Sequence, residues 1–262
     1  MNDDGQGRRE KTDPFLAPPV WGGLSFRDSL SSAADQSVLT QFDETLTEDF
    51  YRFLVENNDK GGFFSKGDAD RIADRHLYES LVMVGEIMSL ENVSRETKIL
   101  DVGSGPGLPG YLFACLKNPP YVTLLDSSRR RLSFVEEYHT KLNADQKAKL
   151  KGRVRFQYQR AEEAKGRYDI VVARALIPFP FNAILVRHLF TDTIALATGP
   201  LSVADEDEKL LSNYGLMIDR SCQLTKLEFL GGRHLLFLKR KAAGPLSPVS
   251  WKTIQKLRQG PA

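Results

Sequence analysis

This sequence predicts an α/β fold, with a mostly parallel sheet covered by helices on both faces. Three observations carry that prediction. Apolar strand-like runs alternate with helical patterns from Lys98 to Thr198, the order that builds parallel sheets. The first of these runs leads into a glycine-rich turn, and the second ends on an acid, Asp126. Two further strand-like runs follow close together, as an antiparallel pair would.

The elements follow in order. Residues 1–40 are rich in Gly, Pro, Ser and Asp and read as a disordered acidic extension. Residues 41–95 read as a helical segment. In it Leu46, Phe50, Phe53 and Leu54 recur at helical spacing within Asp43–Asn57. NDKGGFFSKG (58–67) is a loop, and Asp68 is the expected N-cap of a second helix from Ala69 to Leu90. The strands are KILDV (98–102), YVTLLD (121–126), VRFQYQ (154–159), YDIVVA (168–173) and TIALAT (193–198). Helices are expected at Leu108–Leu116, Ser128–Leu142 and Asp205–Asn213, before the closing strands MIDRSCQLT (217–225) and HLLFLK (234–239). The sheet domain thus spans 96–241, and 242–262 is a basic tail.

The chain has 262 residues, 41% of them hydrophobic, enough for a substantial core. No apolar run reaches a membrane span, and MNDDGQGRRE lacks the apolar stretch of a secretion signal. Cys115 and Cys222 lie in apolar segments and read as reduced thiols of a cytoplasmic protein. The net charge of +2 hides an asymmetry: residues 1–50 hold 4 basic and 10 acidic residues, and the rest 32 and 24. Lys239–Ala262 holds six basic residues and no acid, which suits a polyanionic partner.

The candidate site is Asp101-Val-Gly-Ser-Gly-Pro-Gly-Leu-Pro-Gly110, after the first strand. Gly103, Gly105 and Gly107 remove Cβ atoms where a ligand can lie against backbone, and a helix start behind them is expected to offer free N–H groups. Leu108 and Pro109 stand where a third glycine of the dinucleotide fingerprint would follow Gly103 and Gly105, which argues against a pyrophosphate. Asp126, 19 residues after Gly107, is placed to accept from both hydroxyls of a ribose. A ligand with a ribose and an amino acid but no phosphate fits: S-adenosylmethionine.

ILDVGSGPGLPG, LLDSSRRRLSFVEE, QRAEE, YDIVVARAL and GGRHLLFLKR together resemble the bacterial 16S ribosomal RNA guanine-N7 methyltransferase family, also called glucose-inhibited division protein B. The likeness runs from Phe50 to Arg240 and is strongest from Ile99 to Phe134. It implies a class I S-adenosylmethionine-dependent methyltransferase, Rossmann-like with a mostly parallel seven-stranded sheet, behind an N-terminal helical extension. It also implies cofactor contacts at Gly103, Leu108, Ala161, Glu162 and Arg174. RNA phosphates are expected to meet His76, part of the Arg129, Arg130 and Arg131 cluster, and Lys239, Arg240 and Lys241. The expected partner is 16S ribosomal RNA or the small ribosomal subunit, with a monomeric chain that binds neither metal nor membrane. No residue is singled out as catalytic.

Asn118-Pro-Pro-Tyr121 matches the tetrapeptide that amino-group methyltransferases place after the fourth strand. Here it precedes the second strand, so it reads as a turn in which two prolines end a helix. The sequence departs from the family at Asn58–Lys66, where a W-N-x-x-x-N-L-T-like segment is usual. It departs again at Ala197-Thr198-Gly199, where an A-L-K-G lysine is usual. Two alternatives follow: a non-catalytic RNA-binding or assembly factor that keeps the fold, and a nicotinamide-dependent oxidoreductase.

Overall fold

The structure is a computed structural model that describes residues 25–200, 203–242 and 244–259. Its centre is a seven-stranded sheet in the order β3-β2-β1-4-5-7-6: β1 Lys98–Val102, β2 Tyr121–Leu125, β3 Val154–Gln157, β4 Tyr168–Arg174, β5 Phe190–Thr198, β6 Leu216–Gln223 and β7 His234–Arg240. The first five strands run parallel, and β7 is antiparallel to both of its neighbours, β5 and β6. All seven strands lie where the sequence places them.

Strand side chains alternate between faces. Ile99, Val122 and Leu124 enter one core with Phe50, Tyr111 and Leu132. Leu100, Val102 and Val171 enter the other with Ile184, Leu211 and Ile254. The first layer is built by α2 Glu44–Gly61, α3 Glu79–Leu90, α4 Gly110–Ala114 and α5 Arg129–Thr140, with a short α6 Ala144–Leu150 after them. The second holds α7 Phe181–Val186, α8 Asp205–Asn213 and α9 Trp251–Gln259. Helix α2 starts where the Asp43 carboxylate accepts from the Leu46 N–H at 3.0 Å and stops at Gly62, whose φ of 62° suits a residue without Cβ.

Four expectations need correction. The disordered extension does not reach residue 40: α1 Phe26–Ser29 and a 3₁₀ turn at Gln36–Gln41 bury Phe26, Val38 and Leu39 in the first core. The earlier residues, 1–24, lie outside the described ones. Asp68 caps no helix, because its carboxylate is taken by the Ser65 hydroxyl at 2.7 Å and by Arg75 at 3.3 Å. The chain there makes a 3₁₀ turn (Lys66–Arg71) and a wide π-turn (Ile72–Tyr78) before α3. The helix expected at Leu108–Leu116 is only Gly110–Ala114, with Leu108 still in the turn. The segment 242–262, expected only as a basic tail, contains a helix: α9 docks against α7, with Val249 and Ile254 buried.

Candidate functional site

The cleft lies at the carboxyl ends of the parallel strands, beside the switch point where the strand order reverses between β1 and β4, the usual ligand site of open α/β sheets. It measures about 290 Å³. Gly103 after β1, Asp126 after β2, Ala161 and Glu162 after β3, and Ala175 and Leu176 after β4 face into it. Trp251 of α9 closes one side, with the Arg160 guanidinium 5.3 Å from its ring centre.

The glycine turn is latched to β2. Gly103 N–H donates to the Leu125 carbonyl at 2.8 Å, and Gly105 N–H donates to the Asp126 carboxylate at 2.7 Å. Gly103 has φ 72°, and a Cβ there would sit 2.6 Å from Leu176 Cδ1. The other oxygen of Asp126 accepts from Ser128 N–H at 2.7 Å, and Arg131 lies 3.7 Å away. A carboxylate accepts about four hydrogen bonds, so Asp126 keeps acceptor capacity for two hydroxyls of a ligand while it holds the turn.

The backbone of the turn offers no free donor. Every N–H from Gly103 to Tyr111 has an internal acceptor, and Pro106 and Pro109 have none to give. That corrects the expectation of free N–H groups at a helix start. It also relocates the missing third glycine. Gly105-x-Gly107-x-x-Gly110 does have the dinucleotide spacing, and Gly110 does the close packing: a Cβ on it would meet Leu124 at 2.4 Å and Asp101 at 2.5 Å. A pyrophosphate is disfavoured because it would find no amide hydrogen to accept, not because the glycine is absent.

Of the expected cofactor residues, Gly103, Asp126, Ala161 and Glu162 are brought together. Gly105 supports the site from behind through Asp126. Gly107 faces the aromatic core under the turn, within 3.2 Å of Phe50 and Val135 for a Cβ. Leu108 is buried in that core, and its N–H donates to the Ser104 carbonyl at 3.0 Å, so it is no cleft residue. Arg174 turns away toward α3. Its guanidinium pairs with Glu79 at 3.2 Å and reaches the His76 carbonyl at 3.5 Å. Burial lowers its affinity for a proton, and Glu79 and Asp101 oppose that.

Three polar groups that sequence reasoning passed over complete the region. Glu79 also binds Arg233 at 3.0 Å and so ties α3, β4 and the start of β7 together. Ser104 Oγ and Asp101 Oδ1 are buried without a partner among the described residues, while Asp101 Oδ2 accepts from Gly110 N–H at 2.8 Å. Both oxygens are sealed behind the turn, and neither residue lines the cleft. Trp251 was missed because its segment read as a charge run, although Trp251 and Ile254 are spaced for one helix face.

Burial pushes the Asp101 carboxyl up to about 7; the Gly110 N–H and Arg174 pull it down, and Asp126 pushes it up. The folded state therefore holds this proton more tightly than the unfolded chain does. Its stabilising effect is complete below the ordinary carboxylate range and is lost as pH rises through about 7. Asp101→Asn is expected to gain about 1 kcal/mol on the wild type between pH 5 and pH 6, with no further gain above pH 8. Urea unfolding of both proteins across that range checks this; a constant difference would refute it.

The expected phosphate contacts fare unevenly. His76 stacks on Phe64, ring centres 4.0 Å apart, and burial pulls its pKa down to about 4, so it brings no charge at neutral pH. Arg129 lies over the Tyr158 ring and Arg130 donates to the Lys60 carbonyl at 2.7 Å, both on the surface, while Arg131 stands on the cleft wall. Lys239, Arg240 and Lys241 sit at the opposite end of the sheet from the cleft, beside the start of β5. Lys239 is held by Asp192 and Thr193, Arg240 by the Phe190 and Gly244 carbonyls, and Lys241 by the Ser212 hydroxyl. They are structural ties rather than free cations.

Cys115 and Cys222 are free, and burial pushes both thiols up, away from nucleophilic use. Among the described residues no group of three His, Cys, Asp or Glu side chains could hold a metal. No described helix is long and apolar enough to cross a membrane.

This strand order, with a glycine turn facing an acid at the end of β2, defines the class I methyltransferase fold. The magnesium protoporphyrin IX methyltransferase of Synechocystis, solved with bound S-adenosylmethionine, superposes with a TM-score of 0.53 at 17% identity, over 73% of this chain and 97% of that one. The model of the rRNA small subunit methyltransferase G family matches residues 43–198. The ribosomal RNA small subunit methyltransferase G of Leptospira biflexa is 38% identical over 220 residues, 82% of this chain and 88% of its own. That of Mesoplasma florum is 26% identical over 88% of this chain and 94% of its own. The chain belongs to the rRNA small subunit methyltransferase G family.

Proposed function

We propose that this protein moves the methyl group of S-adenosylmethionine to N7 of a guanine in 16S ribosomal RNA. The observation that carries the cofactor is the cleft in which a glycine turn without a free amide N–H faces the Asp126 carboxylate. It suits a ligand with hydroxyls and an ammonium but no phosphate. Asp126 would hold the ribose. Ala161 and Glu162 would flank the adenine, and Gly103 would let the ligand lie against backbone beneath Leu176. The cofactor supplies an electrophilic methyl. The protein's part is alignment, because guanine N7 presents an in-plane lone pair and carries no proton to remove. Membership of the family supports ribosomal RNA of the small subunit as the substrate and a cytoplasmic setting.

Ribosomal RNA from a strain lacking the gene should lack one N7-methylguanine in the small subunit. The purified protein and S-adenosylmethionine should restore it. An unchanged modification map would overturn the reading. Asn118-Pro-Pro-Tyr121 lies at the amino end of β2, a strand's length from the cleft, roughly 17 Å. The double substitution Asn118→Ser, Tyr121→Phe should therefore leave the transfer rate within about threefold, a barrier change of under 1 kcal/mol. A thousandfold loss with normal cofactor affinity would restore a catalytic role for the tetrapeptide.

A further inference from the structure

The second face of the sheet is left without a helix at its β3 edge. Between β3 and β4 the chain makes no helix, only the 3₁₀ turn Ala161–Glu163 and extended links. No helix therefore lies over β3 on the side where Arg155 and Gln157 point, although Thr123 of β2 beside them is buried. The result is a groove of about 640 Å³ that runs from the amino ends of β1 and β2 to the segment Lys165–Tyr168. Five cations line it, Lys98, Arg153, Arg155, Lys165 and Arg167, against a single carboxylate, Glu96, 4.0 Å from Arg153. Lys98, Arg155, Lys165 and Arg167 are exposed, and their side chains have no partner among the described residues. Arg153 stacks its guanidinium 4.4 Å from the centre of the exposed Tyr121 ring.

We infer that this groove is a second contact for RNA, which grips the sugar–phosphate backbone away from the methyl-transfer cleft. Unpaired cations spread along a concave wall match a chain of phosphates better than one small anion, which three or fewer would satisfy. Guanidinium and phenol rings at the groove floor add a surface on which a base or ribose can stack. The same Tyr158–Arg167 segment borders both sites, since Gln159 and Arg160 line the cleft and Lys165 and Arg167 the groove. A strand of RNA bound in the groove is thereby held in a set relation to the cleft. Phosphate contacts of this kind position a substrate without reading its sequence. The inference rests on ribosomal RNA being the substrate.

The test is a triple variant, Arg155→Ala with Lys165→Ala and Arg167→Ala, assayed on deproteinised 16S ribosomal RNA. Each lost phosphate contact removes about 0.7–0.9 from the slope of log affinity against log salt, so the slope should become shallower by about 2–3 units. Affinity should fall at least tenfold at low salt. Arg155→Lys with Arg167→Lys should keep the slope, and cofactor affinity by calorimetry should not change. An unchanged slope and affinity in the triple variant overturns the proposal. So does a defect seen only on intact small subunits, which would assign the groove to a ribosomal protein. A wild-type protein that methylates no ribosomal RNA would instead sink the underlying reading of function. A wild type that methylates normally, beside an unaffected triple variant, would sink the groove alone.

Discussion

Replacing Glu79 with alanine is expected to destabilise the fold by about 3–5 kcal/mol, the cost of breaking one side of a buried ion pair. Glu79 is 8% exposed and its two oxygens are divided between Arg174 and Arg233. Without it two guanidinium groups face each other in a region already poor in water. Neither can shed its charge at any ordinary pH, so the loss falls on stability rather than on a protonation change. Glu79→Gln should lose less, since the amide oxygen still accepts from one arginine. The effect should extend to the cleft. Arg174 ends β4, and the residues after it, Ala175 and Leu176, form the cleft wall. Urea unfolding and cofactor calorimetry on both variants measure this. A loss below 1 kcal/mol for the alanine variant would show the network to be idle.

Asp126→Ala should weaken S-adenosylmethionine binding by about 1.5–3 kcal/mol, the range for charge-assisted hydrogen bonds. A stability loss of about 1–3 kcal/mol should accompany it, because Gly105 N–H would be left buried without its acceptor. The two effects can be separated. Asp126→Asn keeps an oxygen for Gly105 or Ser128 but removes the charge and replaces one acceptor with a donor. It should recover most of the stability and little of the affinity. Equal affinities for wild type and Asp126→Ala would remove the carboxylate from the ribose site.

The strands and the place of the site were legible because they are local. KILDV and YDIVVA are continuous apolar runs, the mark of strands covered on both faces, and a glycine turn after the first of them needs no distant information. The short helices were less so. Phe181–Val186 hides behind Pro178 and Pro180, which punctuate the sequence like a loop but here precede a helix whose first turn tolerates them. The Trp251–Gln259 helix hides in a basic segment, because its apolar positions matter only once α7 is beside them.

By itself the sequence determined the strand order's raw material, the acid facing a glycine turn, and the family. Its basic residues were assigned to phosphates at His76, Arg129–Arg131 and Lys239–Lys241 without knowledge of their partners, since charge in a sequence carries no record of them. Only the tertiary structure decided that Lys239–Lys241 are tied down at the far end of the sheet while Lys98, Arg155, Lys165 and Arg167 stand free in a groove. Only it decided that His76 is buried and neutral, that Arg174 serves Glu79, and that the turn's amides are all spent on the turn itself, β1 and β2. The reason is physical: hydrogen-bond partners, burial and the distance between charges are set by residues tens of positions apart, and these determine whether a given arginine or amide is available to a ligand.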